Sequence, residues 1–180
     1  MTAWIALLRG VNIGGHKQVA MGDLREMLVA LGFKDVRSAL QSGNLVFRAA
    51  GKGEALAARL EAETKKRLGL ETHFLVRSAR EWAEVVARNP FPKEAKEDPG
   101  RLVVIVLRAA PSPAAVKALQ AAIVGREKVR AVGKHAYVYY PDGQGRSKLT
   151  FTILTRHLGA GATGRNWNTV LKLAALAGGA

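Results

Sequence analysis

The residues of this chain that could do chemistry sit on glycine-containing turns, and they are cations, hydroxyls and amides rather than paired acids or clustered metal ligands. Gly145-Arg146-Ser147-Lys148 puts two positive charges and a hydroxyl at what reads as a helix start, where unsatisfied backbone N–H groups and the helix dipole favour an anion. A Ser147 that simply caps the helix explains the same spacing, and both readings stand at this stage. Arg9-Gly10-Val11-Asn12-Ile13-Gly14-Gly15 links an apolar strand to a helix. Such a link aims main-chain N–H groups at a negative ligand, and it is also an ordinary connection. Gln41-Ser42-Gly43-Asn44 has the composition that a hairpin tip demands. Arg165-Asn166-Trp167-Asn168 opens the last helix, with Asn166 as its cap, Trp167 in the core and Arg165 free to reach outward.

Other chemistries fail on spacing. Gly10, Gly14 and Gly15 do not match G-x-G-x-x-G, and Gly145-Arg-Ser-Lys148 lacks the Gly-Lys-Ser/Thr order of a P-loop. Asp142, Ser147 and His157 could be drawn as a hydrolytic triad, but no G-x-S-x-G elbow brings them together. Asp23 and Glu26 fall on the first turn of a helix, where acids suit the dipole and need no acid–base role. The absence of cysteine excludes a thiolate metal site, and the four histidines (His16, His73, His135 and His157) form no ligand-spaced pair. Neither a metal nor a cofactor is expected. No catalytic motif is present, and whether the protein is an enzyme stays open.

Holding these turns in place requires a scaffold, and the hydrophobic pattern supplies one twice. Residues 3–9 are apolar on both faces, as in a central strand covered on both sides. Leu24, Met27, Leu28 and Leu31 form the stripe of a helix that starts near Met21 and stops at Gly32. Residues 36–41 and 44–48 read as a hairpin around Ser42-Gly43; Leu56, Leu60 and Leu68 mark a second helix with Lys65-Lys66-Arg67 on its wet face; residues 73–77 make a fourth strand. Strand, helix, strand, strand, helix, strand is the split βαβ order. A helix carrying Trp82, Val85 and Val86 follows, and Asn89-Pro-Phe-Pro92 with the charged run to Gly100 reads as a linker. The pattern then restarts with a strand at 102–107, a helix from Pro113 and a hairpin of 128–132 and 135–140 around Gly133-Lys134. A helix is expected over 148–158, although the β-branched Thr150, Thr152, Ile153 and Thr155 pull against it. A final helix covers 166–177.

The fold expected is therefore α+β: two ferredoxin-like (α/β plait) subdomains with antiparallel sheets, and a C-terminal helix packed between or across them. The boundaries are 1–78 for the first unit, 79–100 for the helix and Pro/charged linker, and 101–180 for the second unit with the C-terminal helix. Trp4 and Phe47 are the aromatics of the central strands, and they could stack bases only if a sheet face were open; the doubly apolar first strand argues against that.

Lys and Arg number 28 against 14 Asp and Glu, a formal charge of +14. Residues 101–180 hold twelve of the basic residues and only two acids, Glu127 and Asp142. Such a field favours polyanions, although a basic surface also serves solubility. No apolar run is long enough to span a bilayer and no cleavable leader is evident, so the expectation is a soluble cytoplasmic protein without membrane contact. Nothing in the sequence sets the oligomeric state.

Taken in order, Ala6-Leu-Leu-Arg-Gly-Val-Asn-Ile-Gly-Gly15, Gln41-Ser-Gly-Asn44, Asn89-Pro-Phe91, Pro141-Asp-Gly-Gln-Gly-Arg-Ser-Lys148 and Arg165-Asn-Trp-Asn-Thr169 resemble the bacterial domain-of-unknown-function 1697 family over essentially the whole chain. The resemblance implies two α/β plait subdomains and no particular activity. His16 departs from it, standing where related chains would carry Lys or Arg. The same segments supply the expected anion site: Arg9, Asn12, Gly14, Gly15, Gln41, Ser42, Asn44, Arg146, Ser147, Lys148, Arg165, Asn166 and Asn168, converging in one basic groove between the two halves. The functional expectation is a non-catalytic protein that binds a phosphate-bearing ligand, nucleic acid first among polyanions, with Arg146, Lys148 and Arg165 on phosphates and Arg9, Asn12 and Asn44 on sugar or base edges. The alternative is an enzyme acting on a small phosphorylated or nucleotide substrate, using the same cations to stabilise developing charge. A protein–protein adaptor would instead expose an apolar patch.

Overall fold

The computed structural model describes residues 1–9, 19–40 and 43–178. The chain divides into two compact units, Met1–Glu84 together with Lys172–Ala180, and Val85–Leu171. Each carries a four-stranded antiparallel sheet in an α+β, ferredoxin-like arrangement.

The first unit runs β1 (Thr2–Leu8), α1 (Met21–Ala30), β2 (Lys34–Ala39), β3 (Asn44–Ala49), α2 (Gly53–Leu68) and β4 (Phe74–Ser78), with strand order β2-β3-β1-β4. Side chains alternate across a strand. Trp4, Ala6 and Leu8 therefore share one face of β1 and pack with Leu45 and Phe47 of β3 against Leu24, Met27 and Leu28 of α1 and Leu56 and Leu60 of α2. Ile5 and Leu7, on the other face, are buried as well. That double burial is why β1 lacks a polar alternation. Both candidate stacking aromatics belong to the core: Phe47 is fully buried with its ring 4.9 Å from that of Phe33, and the Trp4 indole Nε1 donates to the Ala49 carbonyl at 3.0 Å. Neither presents a ring to a base.

The helix α3 (Ala79–Ala87) follows β4 directly, and Trp82 on it is fully buried. The segment read as a plain linker contains a short helix, α4 (Pro92–Glu97). Its start is built locally. The Asn89 side chain accepts from the Phe91 N–H and donates to the Phe91 carbonyl, while Pro92 supplies the fixed φ suited to a first helical turn.

The second unit continues with β5 (Leu102–Val106), α5 (Pro113–Ala121), β6 (Lys128–Val132), β7 (His135–Tyr139), α6 (Phe151–Leu158) and β8 (Thr163–Asn166), with strand order β6-β7-β5-β8, and α7 (Trp167–Gly178) begins in it and from Lys172 onward belongs to the first. Val103 and Ile105 of β5 and Ala136 and Val138 of β7 pack against Leu119 of α5 and Leu154 and Leu158 of α6. Two elements differ from the sequence reading. The helix expected from 148 begins at Phe151, because Thr150 adopts the extended conformation of a cap and its hydroxyl accepts from the Ile153 N–H at 3.3 Å. β8 had no counterpart in the sequence reading. It is only four residues long, and its Gly164 is set by packing: a Cβ there would lie 3.1 Å from Ile105 and 3.3 Å from Val103.

Registers in the two sheets correspond. Arg77 of β4 lies opposite Ile5, and Arg165 of β8 lies opposite Val104 of β5. Both arginines are buried, and the residue after each caps a helix: Ser78 exchanges hydrogen bonds with Glu81, and Asn166 accepts from the Thr169 N–H at 3.0 Å.

Gly43 closes the β2–β3 hairpin with φ of 73°, and a Cβ there would lie 2.9 Å from the Leu8 Cβ. Gly43→Ala should therefore destabilise the chain by about 1–3 kcal/mol, combining left-handed strain with a backbone-level clash. A midpoint in urea unfolding equal to that of the wild type would show that the hairpin tip does not press on β1.

Candidate anion site

In the first unit, Arg9 and Gly43 lie at one end of the sheet. The Leu8 N–H donates to the Gly43 carbonyl at 2.9 Å and Leu7 pairs with Asn44, so the hairpin tip lies beside the exit of β1. Arg9 extends that strand by one step: its N–H donates to the His73 carbonyl at 3.2 Å, its carbonyl accepts from the Thr72 hydroxyl, and the residue is exposed. Asn44 is fully buried and its amide donates to the Ala39 carbonyl at 2.9 Å, so this side chain closes the hairpin instead of facing a ligand. Asn12, Gly14, Gly15, Gln41 and Ser42, together with His16, lie outside the described residues.

In the second unit, β7 and β8 both run antiparallel to β5 and finish beside its first residues. Antiparallel topology thus delivers the 140–149 loop and Asn166 to the same end of that sheet. The loop is anchored by the Tyr140 N–H on the Arg101 carbonyl at 2.9 Å and contains a single 3-10 turn, Gln144–Arg146. Ser147 then has φ −75° and ψ 140°, an extended conformation in which neighbouring side chains point to opposite sides. Its hydroxyl turns inward, donating to Glu127 Oε1 at 2.6 Å and accepting from the Leu149 N–H at 3.0 Å. Arg146 and Lys148 are exposed, and among the described residues no carboxylate lies within ion-pair distance of either. Since α6 opens only at Phe151, with Thr150 as its cap, Ser147 is not its cap and the helix dipole is not focused on these cations. An anion held here would be held by side chains.

Arg165 departs from the outward placement expected of it. Because it belongs to β8, strand alternation turns it onto the sheet, where it is 8% exposed and its Nη1 donates to the Thr163 hydroxyl at 2.7 Å and the Gly164 carbonyl at 2.8 Å. Burial lowers its pKa to about 10. Asn166 is occupied as the cap of α7 and Trp167 is buried, in line with their structural readings, and the side chain of Asn168 is exposed.

The acids of this region are committed to structure. Asp142 receives both Arg126 Nε, at 3.0 Å, and Arg126 Nη2, which holds its carboxyl below the usual carboxylate range. Glu127 takes Ser147. The drawn triad of Asp142, Ser147 and His157 is thereby dismantled, and among the described residues no three His, Cys, Asp or Glu side chains are grouped for a metal ion. Arg126 carries no signal in the sequence, and Glu127 stands out there only as one of the two acids of residues 101–180. A separate open depression of about 550 Å³, in the first unit, is lined by Glu61, Lys65, Glu71, Thr72 and His73. Its mixed charge gives a polyanion no net attraction.

A family model described as "Protein of unknown function (DUF1697)" matches residues 1–137, which includes Arg9 and the hairpin tip and ends before the 140–149 loop. A conserved bacterial protein from Streptococcus pneumoniae has the same fold over 98% of both chains, with a TM-score of 0.77 and 22% sequence identity. No curated protein matches.

Burial pushes the Tyr137 and Tyr140 phenols up to about 12; Tyr137 donates to the Val85 carbonyl at 2.7 Å, and the charge of Glu127 adds to the shift at Tyr140. Between pH 10.0 and about 12 the unfolded chain releases phenolic protons that the folded chain retains, so stability falls as pH rises through this window. Phenolate absorbance of the folded protein should accordingly lag that of the urea-unfolded chain. Coincident titration curves would mean that neither ring is desolvated.

Proposed function

The chain belongs to the DUF1697 family, and from that starting point we propose that it is a non-catalytic binding protein whose exposed loop cations take the phosphates of nucleic acid. The observation that carries the reading is the pair Arg146 and Lys148. They flank an extended residue, so their Cα atoms are separated by at most about 7 Å. This separation is of the order of that between successive phosphates of a strand. They have no carboxylate partner among the described residues, in a stretch of chain where basic residues outnumber acids twelve to two. Contacts of this type bind backbone and carry little sequence information. The exposed Asn168 leaves the same end of the sheet and offers a hydrogen-bonding amide. Arg9 is an exposed cation of the first unit, at the exit of β1, whereas the 140–149 loop stands beside the first residues of β5. Arg165 and Asn44 are left to structure.

Fluorescence anisotropy with labelled oligonucleotides of unrelated sequence tests this reading between about 50 and 200 mM salt, where affinity should fall steeply. The double variant R146A/K148A should weaken binding by a similar factor for every sequence and make the salt dependence shallower by about two. Tight, salt-insensitive binding of mononucleotides with none of oligonucleotides would favour a small phosphorylated substrate instead. An absence of both would overturn the reading.

A further inference from the structure

We propose that Glu127 is a positioning residue for the anion-binding loop: a carboxylate of the wrong sign for the ligand that holds Arg146 and Lys148 outward by fixing Ser147 inward. The inference rests on the reading of Arg146 and Lys148 as phosphate contacts, and it goes beyond it by assigning their geometry to an acid that cannot touch a phosphate favourably.

Residues 101–180 contain two acids, and both are used on this one loop. Asp142 is clipped to Arg126, and Glu127 is clipped to Ser147, so the segment before β6 and the segment after β7 are joined at two consecutive positions of the former. The Glu127 carboxylate lies against Gly125, in space that a side chain there would take: a Cβ on Gly125 would lie 2.6 Å from its Oε2 and 3.0 Å from its Oε1. Among the described residues Oε2 is buried without a hydrogen-bond partner, as is the Tyr140 hydroxyl. An ionised acceptor makes the stronger class of hydrogen bond, and the 2.6 Å contact from the Ser147 hydroxyl has that character. The consequence for the loop follows from strand-like alternation. While Ser147 is held inward, the side chains before and after it face out together; released, the extended turn is free to rotate and the two cations lose their common direction.

Charge and geometry make opposite predictions, which is what makes the role testable. If Glu127 acted only as a negative charge beside a polyanion, E127Q and E127A, which have the same net charge, would bind oligonucleotides equally and more tightly than the wild type. As a positioning residue, E127Q keeps an acceptor oxygen for Ser147 and should bind at least as tightly as the wild type. E127A should bind several-fold more weakly than E127Q, with its salt dependence shifted toward that of R146A/K148A. S147A, with no change of charge, should follow E127A. Amide hydrogen exchange over residues 143–149, without ligand, is the second measurement: it should accelerate in E127A and S147A and not in E127Q. Equal affinities for E127Q and E127A, or unchanged exchange in E127A, overturn the role of Glu127 while the wild-type binding stands. A wild type that binds no oligonucleotide overturns the reading of the loop itself, and the assignment of Glu127 with it.

Discussion

Everything in each unit follows from having a central strand buried on both faces. Ile5 and Leu7 are as inaccessible as Ala6 and Leu8, and β5 is buried along its whole length from Leu102 to Val106. Each fully buried large aliphatic side chain stabilises by about 1.5–3 kcal/mol, so these strands carry a large part of the apolar stabilisation. The corollary is spatial. With both faces of the central strands closed, the polar groups that reach solvent are confined to sheet ends, outer helix faces and edge strands. Arg9 and the 140–149 loop stand at sheet ends for that reason.

The edges show the same economy of charge. β2 and β6 are outer strands, and each is given features that discourage pairing with another chain. β2 has a register shift between Lys34 and Arg37, with Asp35 at φ 50° and paired to Arg48 at 3.3 Å. β6 carries Lys128, whose ammonium is 3.7 Å from Glu94, and Arg130, whose guanidinium lies 6.0 Å over the Phe91 ring. The helix α4 and the turn before it thus have work that a bare linker would not: they give the edge strand of the second sheet a charged partner and an aromatic one.

What could be read from the sequence was whatever depended on local period. The stripe of Leu24, Met27 and Leu28 located α1, the double apolar runs located β1 and β5, and both hairpins followed from Gly43 and Gly133. Where tertiary packing decided, the reading failed. β8 offers four residues, one a glycine against which Ile105 and Val103 pack tightly, and a strand without an apolar alternation gives no signal. Missing it carried Arg165 to the wrong side: as a residue before a helix it looked free, whereas as a strand residue opposite Val104 it turns onto the sheet. The Ser147 hydroxyl looked like a cap because Ser and Thr150 compete for that duty three residues apart, and the bond that settles it comes from Glu127, twenty residues away.

One junction occurs in both units. Ser78 ends β4 and Ala79 begins α3; Asn166 ends β8 and Trp167 begins α7, with no residue between strand and helix in either case. A joint without slack fixes phase. Adding or deleting one residue there would swing the helix by about 100° about its own axis, or send the strand's side chains to the opposite surface. These two joints therefore act as rulers, and length variation among related chains has to be accommodated elsewhere, in loops with freedom to absorb it.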